Sequence, residues 1–345
     1  MHVRELLGQL ASGSTLSNEQ SRGAFELLLT GQMEATQIAG LLSLMAARKP
    51  TVDELVGVAE AMRAHVTPVP LEFDSLKKRG VAILDTCGTG GTPKTFNVST
   101  IAAIVVAAAA PGKVIVAKHG NRSRTGRGSA EVLKGFGVNV DAPPVVQARC
   151  AMECGVCFCF AMHHHPAMKY AGPVRQALGF PTILNLAGPL TNPAGATHQL
   201  MGVYDESLRP IVAQALSRLR CKRAWVMHSE DGLDEISINA KTRVSDVVGG
   251  NVSESLVDPP KLGIARVPHE QLVADDVADA VRIGRELLGG QKGPRREMLL
   301  LNAGAALLVC DVVKTLEEGI ARCGEAIDRG DAMKTMQALV TLSNA

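Results

Sequence analysis

The run DTCGTGGTPKTFNVST, from Asp85 to Thr100, reads as a phosphate cradle. An apolar stretch, VAILD, feeds a turn containing Gly88, Gly90 and Gly91, followed by Thr92, Thr95, Asn97, Ser99 and Thr100 and then the alanine-rich IAAIVVAAAA. Glycine lets a backbone approach a ligand closely and turn its N–H groups inward. A helix starting near Asn97 to Thr100 adds unpaired N–H groups and the positive end of its dipole. The alternative is an ordinary tight βα turn, but such a turn needs no run of hydroxyls. The loop lacks the closing Gly-Lys-Ser/Thr of a Walker A motif and the third glycine of a dinucleotide fingerprint. A phosphorylated sugar fits better than a nucleoside triphosphate.

A second constellation, KHGNRSRTGRGSAEVLKGFG, follows the apolar KVIVA. It gathers Lys118, His119, Arg122, Arg124 and Arg127 among small residues, then enters a helix at Ser129, whose side chain is expected to cap it. Lys and Arg make charge-assisted bonds to phosphate. A solvated basic loop is the plainer reading. Two consecutive βα loops rich in anion donors favour one shared site, because adjacent parallel strands bring them to the same sheet edge. Further on, DGLDEIS places the carboxylates of Asp234 and Glu235 side by side after the strand-like RAWVMH. Such a pair in isolation is more often a solvated turn.

Cys150, Cys154, Cys157 and Cys159 crowd near His163, His164 and His165, which raises the question of zinc. Only Cys154 and Cys157 have a C-x₂-C interval, so paired zinc knuckles do not fit. Cys150 and Cys154 suit one face of a helix, and Cys157 and Cys159 one side of the strand VCFCFA. Free thiols in the core are the expectation.

These residues need a scaffold. Residues 1 to about 68 carry helical patterns, with a capping box at Thr51 and Glu54 opening a helix through His65. Val66 to Pro70 is a Pro-punctuated linker. Strands are then expected at 81–85, 113–117, 156–161, 200–204 and 223–228, alternating with helices. Short strands including KTRVSDVV follow, and helices run from roughly Ala274 to the end. Alternation at this spacing predicts an α/β fold with a mostly parallel central sheet flanked by helices.

The chain resembles the anthranilate phosphoribosyltransferases, of the same superfamily as the pyrimidine nucleoside phosphorylases. The resemblance rests on GTGG…TFNVST (Gly88 to Thr100), KHGNR (Lys118 to Arg122), HHPAMK (His164 to Lys169), PVRQALG (Pro173 to Gly179), GPLTNPA (Gly188 to Ala194) and DGLDEIS (Asp231 to Ser237), and extends to LNAGAALLV near Leu301. It implies a small all-helical N-terminal domain of residues 1–68, joined by about 168–185, and a large α/β domain over 69–345. It also implies transfer of a phosphoribosyl group from phosphoribosyl pyrophosphate to the amine of anthranilate, in tryptophan biosynthesis.

The sugar-phosphate would be bound by Gly88, Gly91, Thr92, Thr95, Asn97, Val98, Ser99 and Thr100, and by Lys118, His119, Gly120, Asn121, Arg122, Ser123, Arg124, Thr125, Gly126 and Ser129. Mg²⁺ would be held by Ser99, Asp234 and Glu235. Anthranilate would meet Gly88, Asn121 and Arg175, whose guanidinium can pair with its carboxylate. No nucleophilic serine or cysteine is needed; His119 and His165 are candidates to line the acceptor channel or assist proton loss. The chain departs from the family pattern at Thr92-Pro93, where an acidic residue is usual, in the shortened SRTGRGSAE loop, and at Met162, where proline is usual.

Composition agrees with such an enzyme. The 345 residues are long enough for two domains, and 46% hydrophobic residues supply a substantial core. A net charge of +2 gives no broad field for nucleic acid or membrane. The apolar run Ile101 to Pro111 is too short to cross a bilayer, and MHVRELLGQL has no signal-peptide pattern. A cytoplasmic homodimer is expected, with the dimer implied by resemblance only. Two alternatives remain open: a nucleoside phosphorylase using inorganic phosphate, to which TGRG at Thr125 to Gly128 bears a faint likeness, and a non-catalytic nucleic-acid-binding relative. The 3% aromatic content argues against the stacking that the latter would use.

Overall fold

The computed structural model describes residues 2–91, 95–121, 126 and 128–345. Four helices come first: α1 (Val3–Ala11), α2 (Asn18–Leu29), α3 (Ala35–Ala46) and α4 (Val52–Ala64). The Thr51–Glu54 capping box opens α4 as expected, and Glu54 does more than cap. Its buried carboxylate also accepts from Leu16 N at 2.9 Å and pairs with Arg48, tying the α1–α2 turn to the end of α3. The linker after α4 is anchored rather than loose. Thr67 N donates to the His164 carbonyl at 2.8 Å and Val69 N to that of Pro193 at 3.0 Å.

After α5 (Phe73–Lys78) the chain alternates strand and helix: β1 (Ala82–Asp85), α6 (Val98–Ala109), β2 (Val114–Gly120), α7 (Ser129–Phe136), α8 (Pro144–Cys154) and β3 (Val156–Phe160). The short α9 (Ala161–His164), α10 (Gly172–Leu178) and α11 (Ile183–Ala187) precede β4 (His198–Gly202), α12 (Arg209–Arg218) and β5 (Arg223–Ser229). The hairpin β6 (Thr242–Val248) and β7 (Asn251–Val257) leads into α13 (Val277–Leu288), α14 (Pro294–Val309), α15 (Leu316–Asp328) and α16 (Asp331–Ser343). The sheet has seven strands in the order β3-β2-β1-β4-β5-β6-β7, parallel from β3 to β5, with β6 and β7 antiparallel. This bears out the mostly parallel sheet. β1 to β4 are buried along their whole length, as strands covered on both faces must be.

Two apolar clusters form the core, and the two-residue period of the strands sorts side chains between them. Leu200, Trp225 and Met227 face the cluster around α6, which is buried almost all round and packs against α14, α15 and α16. Met201, Val203, Ala224 and Val226 face the other, which they share with α1 to α4, α11 and α12. On this side α12 lies directly on β5, and α4 packs against α12 and α11, so the N-terminal helices join the same continuous apolar core. Strand order reverses between β1 and β4, and a crevice at the carboxyl ends of strands is expected at such a reversal.

Candidate active site

A cleft of about 440 Å³ opens at that reversal, lined from both the α/β body and the helical side. Its floor is the glycine turn after β1. Gly90 and Gly91 hold φ of 64° and 93°, left-handed values that suit glycine. Gly88 is favoured by close approach: a Cβ there would lie a tight 3.1 Å from both the Asp234 Oδ2 and the Gly202 carbonyl. Gly202, ending β4, is more tightly constrained, because a Cβ would overlap the Asp234 backbone carbonyl. Two glycines thus let the DGLDEIS loop settle onto the phosphate loop.

That loop closes on the start of α6. Thr95 Oγ1 donates to Glu235 Oε2 at 2.6 Å, and the Ser99 backbone N–H also bonds the Glu235 carboxylate. Asn97 precedes the helix in a left-handed conformation (φ 63°). Burial first, and then the neighbouring Asp234, push the Glu235 carboxyl up to about 7. Lys118 is buried at 4% exposure, with Nζ donating to Ser99 Oγ at 3.2 Å and to the Thr86 carbonyl and hydroxyl at 3.3 and 3.4 Å. Among the described residues its ammonium makes no ion pair. Burial lowers its pKa, and the nearby Cys87, Asp85, Glu235 and Asp234 oppose that shift.

The basic segment is partly strand. β2 runs through Lys118, His119 and Gly120 because these three pair with Phe158, Cys159 and Phe160 of β3. His119 Nε2 faces His165 Nε2 at 3.2 Å across the cleft wall. Desolvation and neighbouring imidazoles hold His119 well below its usual value, and burial brings His165 down to about 4. Both rings are therefore neutral near pH 7, so one donates to the other. Arg175 also lines the cleft, with its Nη2 donating to Asn185 Oδ1 at 3.4 Å.

The cleft gathers Gly88, Gly91, Thr95, Asn97, Ser99, Thr100, Lys118, His119, Gly120, Asn121, Ser129, His165, Arg175, Asp234 and Glu235. Val98 and Gly126 do not line it; the Val98 side chain is fully buried in the core at the first turn of α6. Thr92, Arg122, Ser123, Arg124 and Thr125, with Pro93 and Arg127, lie outside the described residues. Ser129 does not cap α7 as expected. It is the first helical residue, and the N-cap is Gly128, whose N–H donates to Glu131 Oε2 at 2.8 Å.

The core-thiol expectation agrees with the burial of Cys150, Cys157 and Cys159. No cluster of potential metal ligands among the described residues includes any of the four neighbouring cysteines. His164 instead bonds the Thr67 carbonyl at 2.7 Å and Gln147 Oε1 at 2.8 Å.

Sequence reasoning missed Asp85. Its fully buried carboxylate accepts from Cys87 N at 3.0 Å, His119 N at 3.1 Å and Asn192 Nδ2 at 2.8 Å, binding β1, β2 and the GPLTNPA segment together. Burial pushes it up to about 6 against those bonds. A carboxylate ending an apolar parallel strand just before a glycine turn was the available signal. Thr86, Asn192 and the cleft-lining Met62, Met162 and Met168 were likewise given no site role.

Sequence profiles of the glycosyl transferase family match the chain in two parts: the helical bundle domain at residues 4–66 and the a/b domain at residues 80–333. The fold is thus that of a glycosyl transferase built from a helical bundle and an α/β body. Full-length relatives narrow the class. The anthranilate phosphoribosyltransferase of Herpetosiphon aurantiacus is 40% identical over 100% of both chains, and that of Symbiobacterium thermophilum 41% identical over 98% of this chain and 96% of its own. The crystal structure of anthranilate phosphoribosyltransferase from Thermus thermophilus superposes with a TM-score of 0.89 at 34% identity, covering 98% of this chain and 99% of that one. The Saccharomyces cerevisiae enzyme in complex with PRPP and Mg shares the fold at a TM-score of 0.88 and 23% identity, over 99% and 98% of the two chains. The chain belongs to the anthranilate phosphoribosyltransferase family.

Proposed function

We propose that the protein transfers the phosphoribosyl group of phosphoribosyl pyrophosphate to the amine of anthranilate, releasing pyrophosphate. The observation that carries this is the meeting, in one cleft at the strand reversal, of the glycine loop, the buried Lys118, the Asp234–Glu235 pair and Arg175. Bond breaking at C1 of the sugar builds positive charge on the ring and negative charge on the leaving pyrophosphate. Fixed donors aimed at the leaving group stabilise that separation more than water can. The N–H groups at the start of α6, the glycine loop and Lys118 supply them. Lys118 is already oriented by Thr86 and Ser99, so little reorganisation accompanies the reaction.

Asp234, Glu235 and the Ser99 hydroxyl are hard oxygen donors, the type that suits Mg²⁺. They fit a cation on a further ground: burial beside Asp234 disfavours the ionised Glu235, and a bound cation would offset that cost. When bound, Mg²⁺ would neutralise charge on the pyrophosphate. At the other end of the cleft, Arg175 would pair with the anthranilate carboxylate, and Asn121 would orient the ring. The amine is already nucleophilic. The neutral His119–His165 pair would accept its hydrogen bond and then its proton.

The same reading takes residues 1–68 with about 168–185 as the helical domain and 69–345 as the α/β domain, supported by the apolar cluster that α1 to α4 share with Ala171 and Val174. It also takes the enzyme to be a cytoplasmic homodimer, which sedimentation of the purified chain and cell fractionation would test. No helix among the described residues is long and apolar enough to cross a membrane. A paired assay tests the function: consumption of anthranilate with phosphoribosyl pyrophosphate, beside phosphorolysis of uridine or thymidine. Turnover only in the second assay would overturn the reading in favour of the phosphorylase alternative.

A further inference from the structure

At the cleft floor lies a second set of metal-type ligands, of which the proposed transfer uses His119 alone. One ligand atom each from Asp85, Cys87 and His119 lie within 4.8 Å of one another. The three come from the end of β1, the glycine turn and the end of β2, so the fold rather than local sequence assembles them. His119 is 4% exposed and its buried Nδ1 has no hydrogen-bond partner; the nearby Gly188 carbonyl favours the protonated ring without reaching hydrogen-bond geometry at that atom. Its Nε2 faces a further imidazole nitrogen, that of His165. The Cys87 thiol makes only a weak contact with the Gly88 carbonyl, at 3.5 Å, and lines the cleft.

We propose that Cys87, His119 and Asp85 form a soft-metal site in the cleft floor, selective for a zinc-class divalent ion. Thiolate and imidazole select zinc over magnesium, whereas the all-oxygen set of Ser99, Asp234 and Glu235 is of the type that suits magnesium. The two sites therefore discriminate by ligand chemistry within one cleft. Three protein ligands leave a fourth position open, as in zinc sites that exchange ligands. Binding releases the Cys87 thiol proton to solvent as the Zn–S bond forms. Asp85 contributes negative charge already fixed by the Cys87, His119 and Asn192 donors.

An ion here engages His119 and occupies the acceptor end. Zinc should then inhibit in competition with anthranilate, and excess Mg²⁺ should not relieve the inhibition. That consequence rests on the proposed reaction; the binding itself does not.

The test titrates the metal-free full-length protein with Co²⁺, reading the near-ultraviolet thiolate-to-cobalt charge-transfer band, and then displaces cobalt with Zn²⁺. The wild type should show the band at one equivalent. Cys87→Ser should abolish it and weaken zinc binding by roughly 10–100-fold or more, since even outer partners of metal ligands cost that much. His119→Asn should weaken binding similarly and decides the matter if the serine variant does not fold. The Asp234→Asn/Glu235→Gln double variant should keep the band. Absence of the band in the wild type, or its persistence in Cys87→Ser with the metal held by another thiol, overturns the site. A wild type that binds one zinc this way yet fails to turn over anthranilate removes the proposed reaction and leaves the site standing.

Discussion

Thr95 and Glu235, 140 residues apart in the chain, are joined by a 2.6 Å hydrogen bond from hydroxyl to carboxylate. The bond fastens the phosphate loop after β1 to the acidic loop after β5. It places the Asp234–Glu235 pair beside Ser99 at the start of α6.

Asp234→Asn/Glu235→Gln should mimic metal removal. Transfer activity is expected to vanish with chelator, to return with Mg²⁺ in the wild type, and to stay lost in the double variant. Circular dichroism should show an intact fold. Full metal-independent activity in that variant would remove both residues from the site.

Arg175→Ala should separate the two substrates. Leaving the acceptor carboxylate without its desolvated partner costs about 2–5 kcal/mol. The loss should appear in kcat/KM for anthranilate, with the KM for phosphoribosyl pyrophosphate nearly unchanged. Equal losses for both substrates would point to collapse of the cleft instead.

Gly202→Ala tests the seat of the acidic loop. Its new methyl would overlap the Asp234 carbonyl, so the loop must shift or the strand must bend. Overpacking of this kind costs about 1–3 kcal/mol, and Mg²⁺-dependent activity should fall with it. Thermal melting and Mg²⁺ titration of activity measure the two effects. A variant unchanged in both would mean the loop has slack that the close contact denies.

His198 should make the fold acid-sensitive. It is buried in β4 beside Thr197, and burial brings its pKa from 6.5 down to about 4. The folded value lies below the unfolded one, so its contribution is whole above pH 6.5 and is lost as pH falls towards 4. A shift of that size is on the order of 3 kcal/mol. Urea unfolding of wild type and His198→Gln at pH 7 and pH 4.5 should show a steeper acid loss in the wild type. Equal slopes would exclude His198 as the cause.

Much of this was legible because the pattern is local. Glycines and hydroxyls between an apolar strand and an alanine-rich run announced the phosphate loop. Strands alternating with helices announced a mostly parallel sheet. What escaped was set by tertiary contact. Asp85 reads as the polar end of a strand, and only the crossing of β2 and the Asn192 segment makes it the brace of the cleft. Ser129 looks like a cap because Ser so often is one, but glycine and Glu131 take that role one residue earlier. β2 runs past the expected Ala117 because its partner β3 continues to Phe160, and propensity cannot report a partner's length.

The most direct test of the account couples two readouts in one reaction of wild-type protein, Mg²⁺, phosphoribosyl pyrophosphate and anthranilate. Loss of anthranilate fluorescence and release of pyrophosphate are followed together. The account predicts equal amounts of each, both stopped by chelator, and no phosphorolysis of uridine or thymidine when phosphate replaces the pyrophosphate donor. Pyrophosphate release without anthranilate consumption, or phosphorolysis in place of transfer, would contradict it.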